Sequence, residues 1–159
     1  MQPSSQKPGF IWRTMRSLNH RMVPNFRKGF GPTRMVLLLT TTGRKTGLPR
    51  TTPLQFEEID GAYYLGSARG AKADWFKNLE ANPRVEVEIK GMRYHAFAEA
   101  ITDANRIADF FEIRLQRHPV MIGYLMRLEG LPLRYNRDDL ERFAAMKALA
   151  IIRPELPAI

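Results

Sequence analysis

The chain contains no cysteine among its 159 residues. That excludes a disulfide framework, a thiolate metal site and a cysteine nucleophile, and it fits a reducing compartment. Histidine is scarce as well: His20, His95 and His118 stand far apart and outside any ligand-spaced motif, so no metal site is expected. No apolar run approaches the roughly 20 residues of a membrane-spanning helix, and no signal-peptide core of about 7 to 15 apolar residues opens the chain. The expected location is therefore the cytoplasm. A Gly-x-Ser-x-Gly elbow and paired catalytic carboxylates are also missing, and Gly43-Arg44-Lys45-Thr46 lacks the glycine that a Walker loop carries directly before its lysine. Triphosphatase and ordinary hydrolase chemistry are set aside on these grounds.

Negative charge is the scarcest property of the first third. Glu57 is the first acid, and 10 cations precede it: Lys7, Arg13, Arg16, Arg21, Arg27, Lys28, Arg34, Arg44, Lys45 and Arg50. The remainder holds 15 Lys and Arg against 16 acids, so the net charge of +9 is concentrated before Glu57. Such a field raises the local concentration of anionic ligands or anionic lipid. Aromatic residues interleaved with that charge are sparse, so a stacking surface for nucleic acid is not expected.

Three of these cations share one tight connection. In Thr40-Thr41-Thr42-Gly43-Arg44-Lys45-Thr46-Gly47-Leu48-Pro49-Arg50-Thr51-Thr52-Pro53, the cations Arg44, Lys45 and Arg50 lie between the apolar run Met35–Leu39 and a segment in which Leu54 and Phe56 alternate with polar residues. Guanidinium groups grip phosphate or carboxylate at two points and lysine adds a mobile point charge, a combination suited to a ligand with several anionic groups. A second loop, Gly66-Ser67-Ala68-Arg69-Gly70-Ala71-Lys72, offers small residues for close backbone approach together with Arg69 and Lys72.

Periodicity supplies the elements. Residues 1–9 read as a loose arm and 10–159 as one domain, large enough to bury a core without staples. From Phe10 to about Arg21, Ile11, Met15, Leu18 and Met22 form the stripe of a basic amphipathic helix, suited to packing on the domain, to an anionic membrane surface or to covering a lipophilic pocket. Gly61–Gly66 reads as a strand after Asp60-Gly61, Asp74–Ala81 as a short helix, and Arg84–Ile101 as a hairpin about Lys90-Gly91 with Tyr94, Ala96, Ala98 and Ala100 on one face. The period then changes to 3.6. One helix carries Ile107, Phe110, Phe111 and Leu115, a second is expected to pack through Met121, Tyr124, Leu125 and Leu128, and a third runs from Asp138 to about Lys147. Ala148–Arg153 closes the pattern as a strand. The sum is an α+β domain, a barrel of about six mostly antiparallel strands with flanking helices.

The segment Leu38–Gly47 with Arg50–Leu54, followed by Trp75-Phe76-x-Asn78-Leu79-x-Ala81-Asn82-Pro83 and Val85-x-Val87, resembles the deazaflavin-dependent nitroreductase and quinone reductase family. Members are split β-barrels that bind coenzyme F420, a polyanion with an aromatic head. The resemblance covers roughly residues 30–102 closely and the rest in outline. It implies that Arg44, Lys45, Thr46 and Arg50 hold the phosphate and glutamate tail, and that Thr51, Thr52 and Pro53 pass along the ring. It further implies that Gly66, Ser67, Ala68, Arg69 and Lys72, with Asn78, close the other side, with Trp75 either walling the ring pocket or packing into the core. The implied reaction is hydride transfer from the reduced coenzyme to a small lipophilic acceptor such as a quinone, an activated alkene or a nitro compound. Ser67, Tyr64, Tyr124 and Tyr135 are the candidate proton donors. Split barrels commonly pair through strand faces, which adds a second copy of the chain to the implied partners. The alternative reading is a non-catalytic barrel that sequesters a fatty acid or another hydrophobic ligand.

Overall fold

A computed structural model describes residues 36–155; the helix expected over Phe10–Arg21 lies outside them. In chain order the elements are β1 (Val36–Thr42), β2 (Pro49–Gln55), β3 (Glu57–Ile59), β4 (Ala62–Ser67), a 3-10 turn (Gly70–Lys72) and α1 (Asp74–Ala81). β5 (Arg84–Ile89), β6 (Met92–Ile101), α2 (Ala104–Arg117), α3 (Pro119–Leu128), α4 (Arg137–Ala144) and β7 (Ala148–Pro154) follow. All seven strands form one antiparallel sheet in the order β2-β1-β5-β6-β7-β4-β3. The sheet curls into a half-barrel, so that β2 comes beside β4 without a ladder between them.

The strand count exceeds the expected six by β3, whose three residues are too few to show a period. β3 and β4 are joined through Asp60-Gly61, and β5 and β6 through Lys90-Gly91. Every residue of both turns has a positive φ, at 51° and 78° in the first and 52° and 77° in the second. These are two-residue hairpin turns of the hand that matches strand twist, which is why Asp-Gly and Lys-Gly mark them in the sequence.

Two apolar clusters lie on opposite faces of the sheet. Inside the curl, Leu37, Leu39, Leu65, Val85 and Val87 pack with Phe76 and Leu79 of α1. Outside it, α2, α3 and α4 press Ile107, Phe110, Phe111, Ile122, Leu140 and Phe143 against the sheet. Strand β7 serves both: Ala148, Ala150 and Ile152 face the inner cluster, and Leu149 and Ile151 the outer one. Alternation therefore disappears along β7, which reads as the continuous apolar run of a strand covered on both faces. In β6, Ala96 and Ala98 face inward as expected, but Ala100 is exposed and Ile101 is buried in the helical layer.

The stripe expected to pack α3 faces the other way. Ile122, Gly123 and Met126 are buried, whereas Met121, Tyr124, Leu125 and Leu128 are exposed. The helix is apolar almost all round, so periodicity alone could not choose between its faces.

Candidate functional site

The Gly43–Leu48 turn is tightly wound. Gly43 N–H donates to Leu48 O at 2.8 Å, Gly47 N–H to Gly43 O at 2.8 Å, and Leu48 N–H to Thr46 Oγ1 at 3.2 Å. A Cβ on Gly43 would lie 2.8 Å from Thr46 Oγ1. The turn is fastened to α1 by Arg44. Its Nη1 donates to Asn78 Oδ1 at 2.8 Å, its backbone N–H to the same oxygen at 3.2 Å, and its Nη2 meets Asp74 Oδ1 at 3.2 Å. Asn78 Nδ2 in turn donates to Thr41 Oγ1 at 3.3 Å. Arg44 and Asn78, expected on opposite sides of a ligand, thus touch each other. Asp74, part of this network, was missed because no feature of the sequence marks its pairing with a residue 30 positions earlier.

Lys45, Thr46 and Arg50 are exposed around this anchor. The 3-10 turn carrying Lys72 leads directly into Asp74, so the second basic group, Arg69 and Lys72, is tethered to the first. Thr51, Thr52 and Pro53 are half-buried along β2, with Thr51 Oγ1 2.8 Å from Thr40 Oγ1. Proline at positions 49 and 53 suits β2, which among the described residues is an edge strand with no ladder on its far side. Trp75 is half-buried against the inner cluster and meets Phe76 edge to face at 5.8 Å, a wall of the barrel core.

At the other end of β2 an apolar cavity of about 160 Å³ opens between the sheet and the outer helices. Gln55, Phe56, Tyr64 and the Gly66–Ala68 stretch line it from the sheet; Phe110, Phe111, Ile122, Leu125, Met126 and Phe143 line it from the helices. Tyr64 is half-buried there, stacked on Phe110 with ring centroids 5.6 Å apart. Ser67 is buried, and its hydroxyl donates to Gly70 O at 2.8 Å. Tyr124 and Tyr135 are exposed and do not line the cavity.

Two cavity cations lacked a sequence signal, because each is brought in from a distant part of the chain, Arg114 on α2 and Lys147 just before β7. Lys147 pairs with Glu129, donates to Ala68 O at 3.2 Å across 79 residues, and lies over the Phe143 ring. Arg114 sits 3.6 Å from Glu57, and its Nε is buried with no hydrogen-bond partner among the described residues. Burial pushes its guanidinium below the usual value, opposed by the Glu57 charge. Glu57 also accepts from Arg117 at 3.2 Å and lies 2.9 Å from His118 Nε2, so one buried carboxylate gathers three basic side chains. No grouping of His, Asp and Glu among the described residues could hold a metal.

The arrangement offers cations at one end of β2, an edge strand among the described residues, and an apolar recess at the other. Among solved structures, an F420-H2 dependent reductase matches with a TM-score of 0.50 at 22% identity, over 76% of this chain and 95% of that one. A haem storage protein of Vibrio cholerae matches with a TM-score of 0.52 at 18% identity, over 86% and 90%. Both establish the split-barrel fold, and their different descriptions show that the fold leaves function open. An F420H(2)-dependent quinone reductase of Mycobacterium tuberculosis is 38% identical over 68 residues, which is 41% of this chain and 46% of that relative. The chain thus spans about half the length of the curated relatives it matches. A model of the family described as F420H(2)-dependent quinone reductase matches residues 13–137, and the chain belongs to that family of F420-dependent enzymes.

Proposed function

We propose that this protein is an F420H2-dependent reductase that delivers a hydride to a lipophilic acceptor held in the cavity above Tyr64 and Ser67. The observation that carries the reading is the course of β2. Its seven residues, about 20 Å at a strand rise of about 3.3 Å, run from the Arg44–Arg50 cations to Gln55 at the cavity. That span suits a coenzyme with a charged tail and a flat head. The donor set fits as well: Lys45 and Arg50 are exposed for phosphate and carboxylates, Arg44 fixes the turn that presents them, and Thr51–Pro53 lie along an edge that no other described strand covers.

When bound, the reduced deazaflavin supplies the hydride. The chain's own residues orient the reactants, exclude water and handle the proton that must follow the two electrons to the acceptor. Phe110, Phe111, Ile122 and Phe143 would enclose an apolar acceptor. Tyr64 is the nearest candidate donor of that proton, and Ser67 acts chiefly on the shape of its own loop, since its hydroxyl proton is directed to Gly70 O. Quinones, activated alkenes and nitro compounds all suit this recess.

Titration of oxidised F420 into the protein at low salt should change coenzyme fluorescence with a Kd of about micromolar or tighter. Reduced coenzyme should then be consumed when a lipophilic quinone is added. Absence of any spectral or calorimetric response would remove the reading. A second reading, sequestration of a fatty acid, draws on Arg114 and Lys147 at the cavity wall, where a carboxylate could pair. Lipid retained through purification, with no turnover of reduced coenzyme, would favour it.

A further inference from the structure

One cation in the cavity wall is incompletely neutralised. Arg114 sits in the last turn of α2 and lines the cavity, with 17% of its side chain exposed. Glu57 Oε1 lies 3.6 Å from its Nε, close enough for attraction but too far for a hydrogen bond. That carboxylate is held more closely by Arg117 at 3.2 Å and His118 at 2.9 Å, which line a separate hollow sharing Phe56 with the cavity. Two permanent guanidinium charges therefore share one carboxylate. The other cavity cation, Lys147, is taken up by Glu129 and by Ala68 O. Positive charge left over beside an apolar recess attracts a negative oxygen far more strongly than it would in water.

Arg114 also lies over the Phe110 ring, 5.8 Å from its centroid, and Tyr64 stacks on the same ring. Phe110 and Arg114 are four residues apart on α2, so one helical face sets their spacing. A single phenyl ring thus carries both the anion-attracting group and the candidate proton donor.

Reduction of a conjugated carbonyl compound calls for this pair of groups. As the hydride arrives, a C–H bond forms at the conjugated carbon and the π electron pair passes to the carbonyl oxygen. A proton then closes the O–H bond; the acceptor has gained two electrons and the coenzyme has lost them. We infer, given hydride transfer as proposed, that Arg114 stabilises the negative charge on that oxygen. The recess then selects quinones and enones over alkenes that lack a conjugated carbonyl.

The charge preference is tested first without coenzyme. At neutral pH 2-hydroxy-1,4-naphthoquinone is an anion, whereas 1,4-naphthoquinone is uncharged. In calorimetry the wild type should bind the anion about tenfold or more tightly than the neutral quinone. Arg114→Gln should lose that preference and keep its affinity for the neutral quinone within about twofold. Glu57 retains Arg117 and His118 in this variant, so no buried carboxylate is stranded, and circular dichroism should report an intact fold. With saturating reduced F420 and 1,4-naphthoquinone as acceptor, kcat of Arg114→Gln should fall about tenfold or more while KM stays within about threefold. If the wild type turns over yet binds both quinones alike, or if the variant turns over at the wild-type rate, the inference is overturned and the reductase reading stands. No turnover by the wild type removes that reading, and the inference with it. The wild-type comparison needs no variant, so it decides the matter even if Arg114→Gln does not fold.

Discussion

Asn78 is a buried amide with three obligations: it accepts twice from Arg44 and donates to Thr41. Asn78→Leu would strip all three and leave Thr41 and the turn unsatisfied, so urea unfolding should show a loss of about 1–3 kcal/mol. Coenzyme affinity should fall with it, because the turn that presents Lys45 is no longer fastened. Lys45→Ala separates the two effects. This side chain is exposed, so stability should stay within about 0.5 kcal/mol of wild type while F420 affinity drops roughly tenfold. Gly70 makes a third residue-scale case, with a φ of +63° and a Cβ that would meet Met146 O at 2.7 Å. Gly70→Ala should cost about 1–3 kcal/mol and should distort the Ser67–Gly70 turn at the cavity floor. The cations on the first turn were legible in the sequence because they are contiguous. Asp74, Arg114 and Lys147 were not, since their significance arises only when helices and strands from elsewhere close around them.

Among the elements, α4 is set by its start. Asn136 and Asp139 form a reciprocal capping box, and the Asn136 backbone N–H, then Arg142, holds the Asp139 carboxyl below its usual pKa. Glu99, bonded by Arg106 and Arg153, is likewise depressed. Both carboxylates bind protons more weakly folded than unfolded, so their contribution is present above the ordinary carboxylate value near pH 4 and is lost as pH falls through the lower folded values. The unfolding temperature should therefore decline below about pH 4, and Asp139→Asn should flatten part of that decline. Local signals served the elements unevenly. α1 and the β5–β6 hairpin occur over the residues their periodicity and turn dipeptide indicate, and Asp103 caps α2, accepting from Arg106 N–H at 3.0 Å. The direction in which α3 turns its apolar stripe was settled by the packing of Ile122 and Met126 on the neighbouring layer, a tertiary fact with no local trace.

At the scale of the molecule, long-range charge and strand order govern behaviour. Capture of a polyanionic coenzyme by so basic a chain should slow several-fold between about 50 and 500 mM salt in stopped-flow mixing, because screening shortens the reach of the field. Strand order has a different outcome. Among the described residues, the ladders of β2-β1-β5-β6 and β4-β3 meet only at β7, which both halves must await. Translation delivers that segment after the other six described strands, so a nascent chain should carry two unsealed parts of the sheet for seconds at typical elongation rates of about 5–20 residues per second. A product interrupted before Ala148 should therefore lack the strand that seals the sheet, and its yield of folded protein should fall.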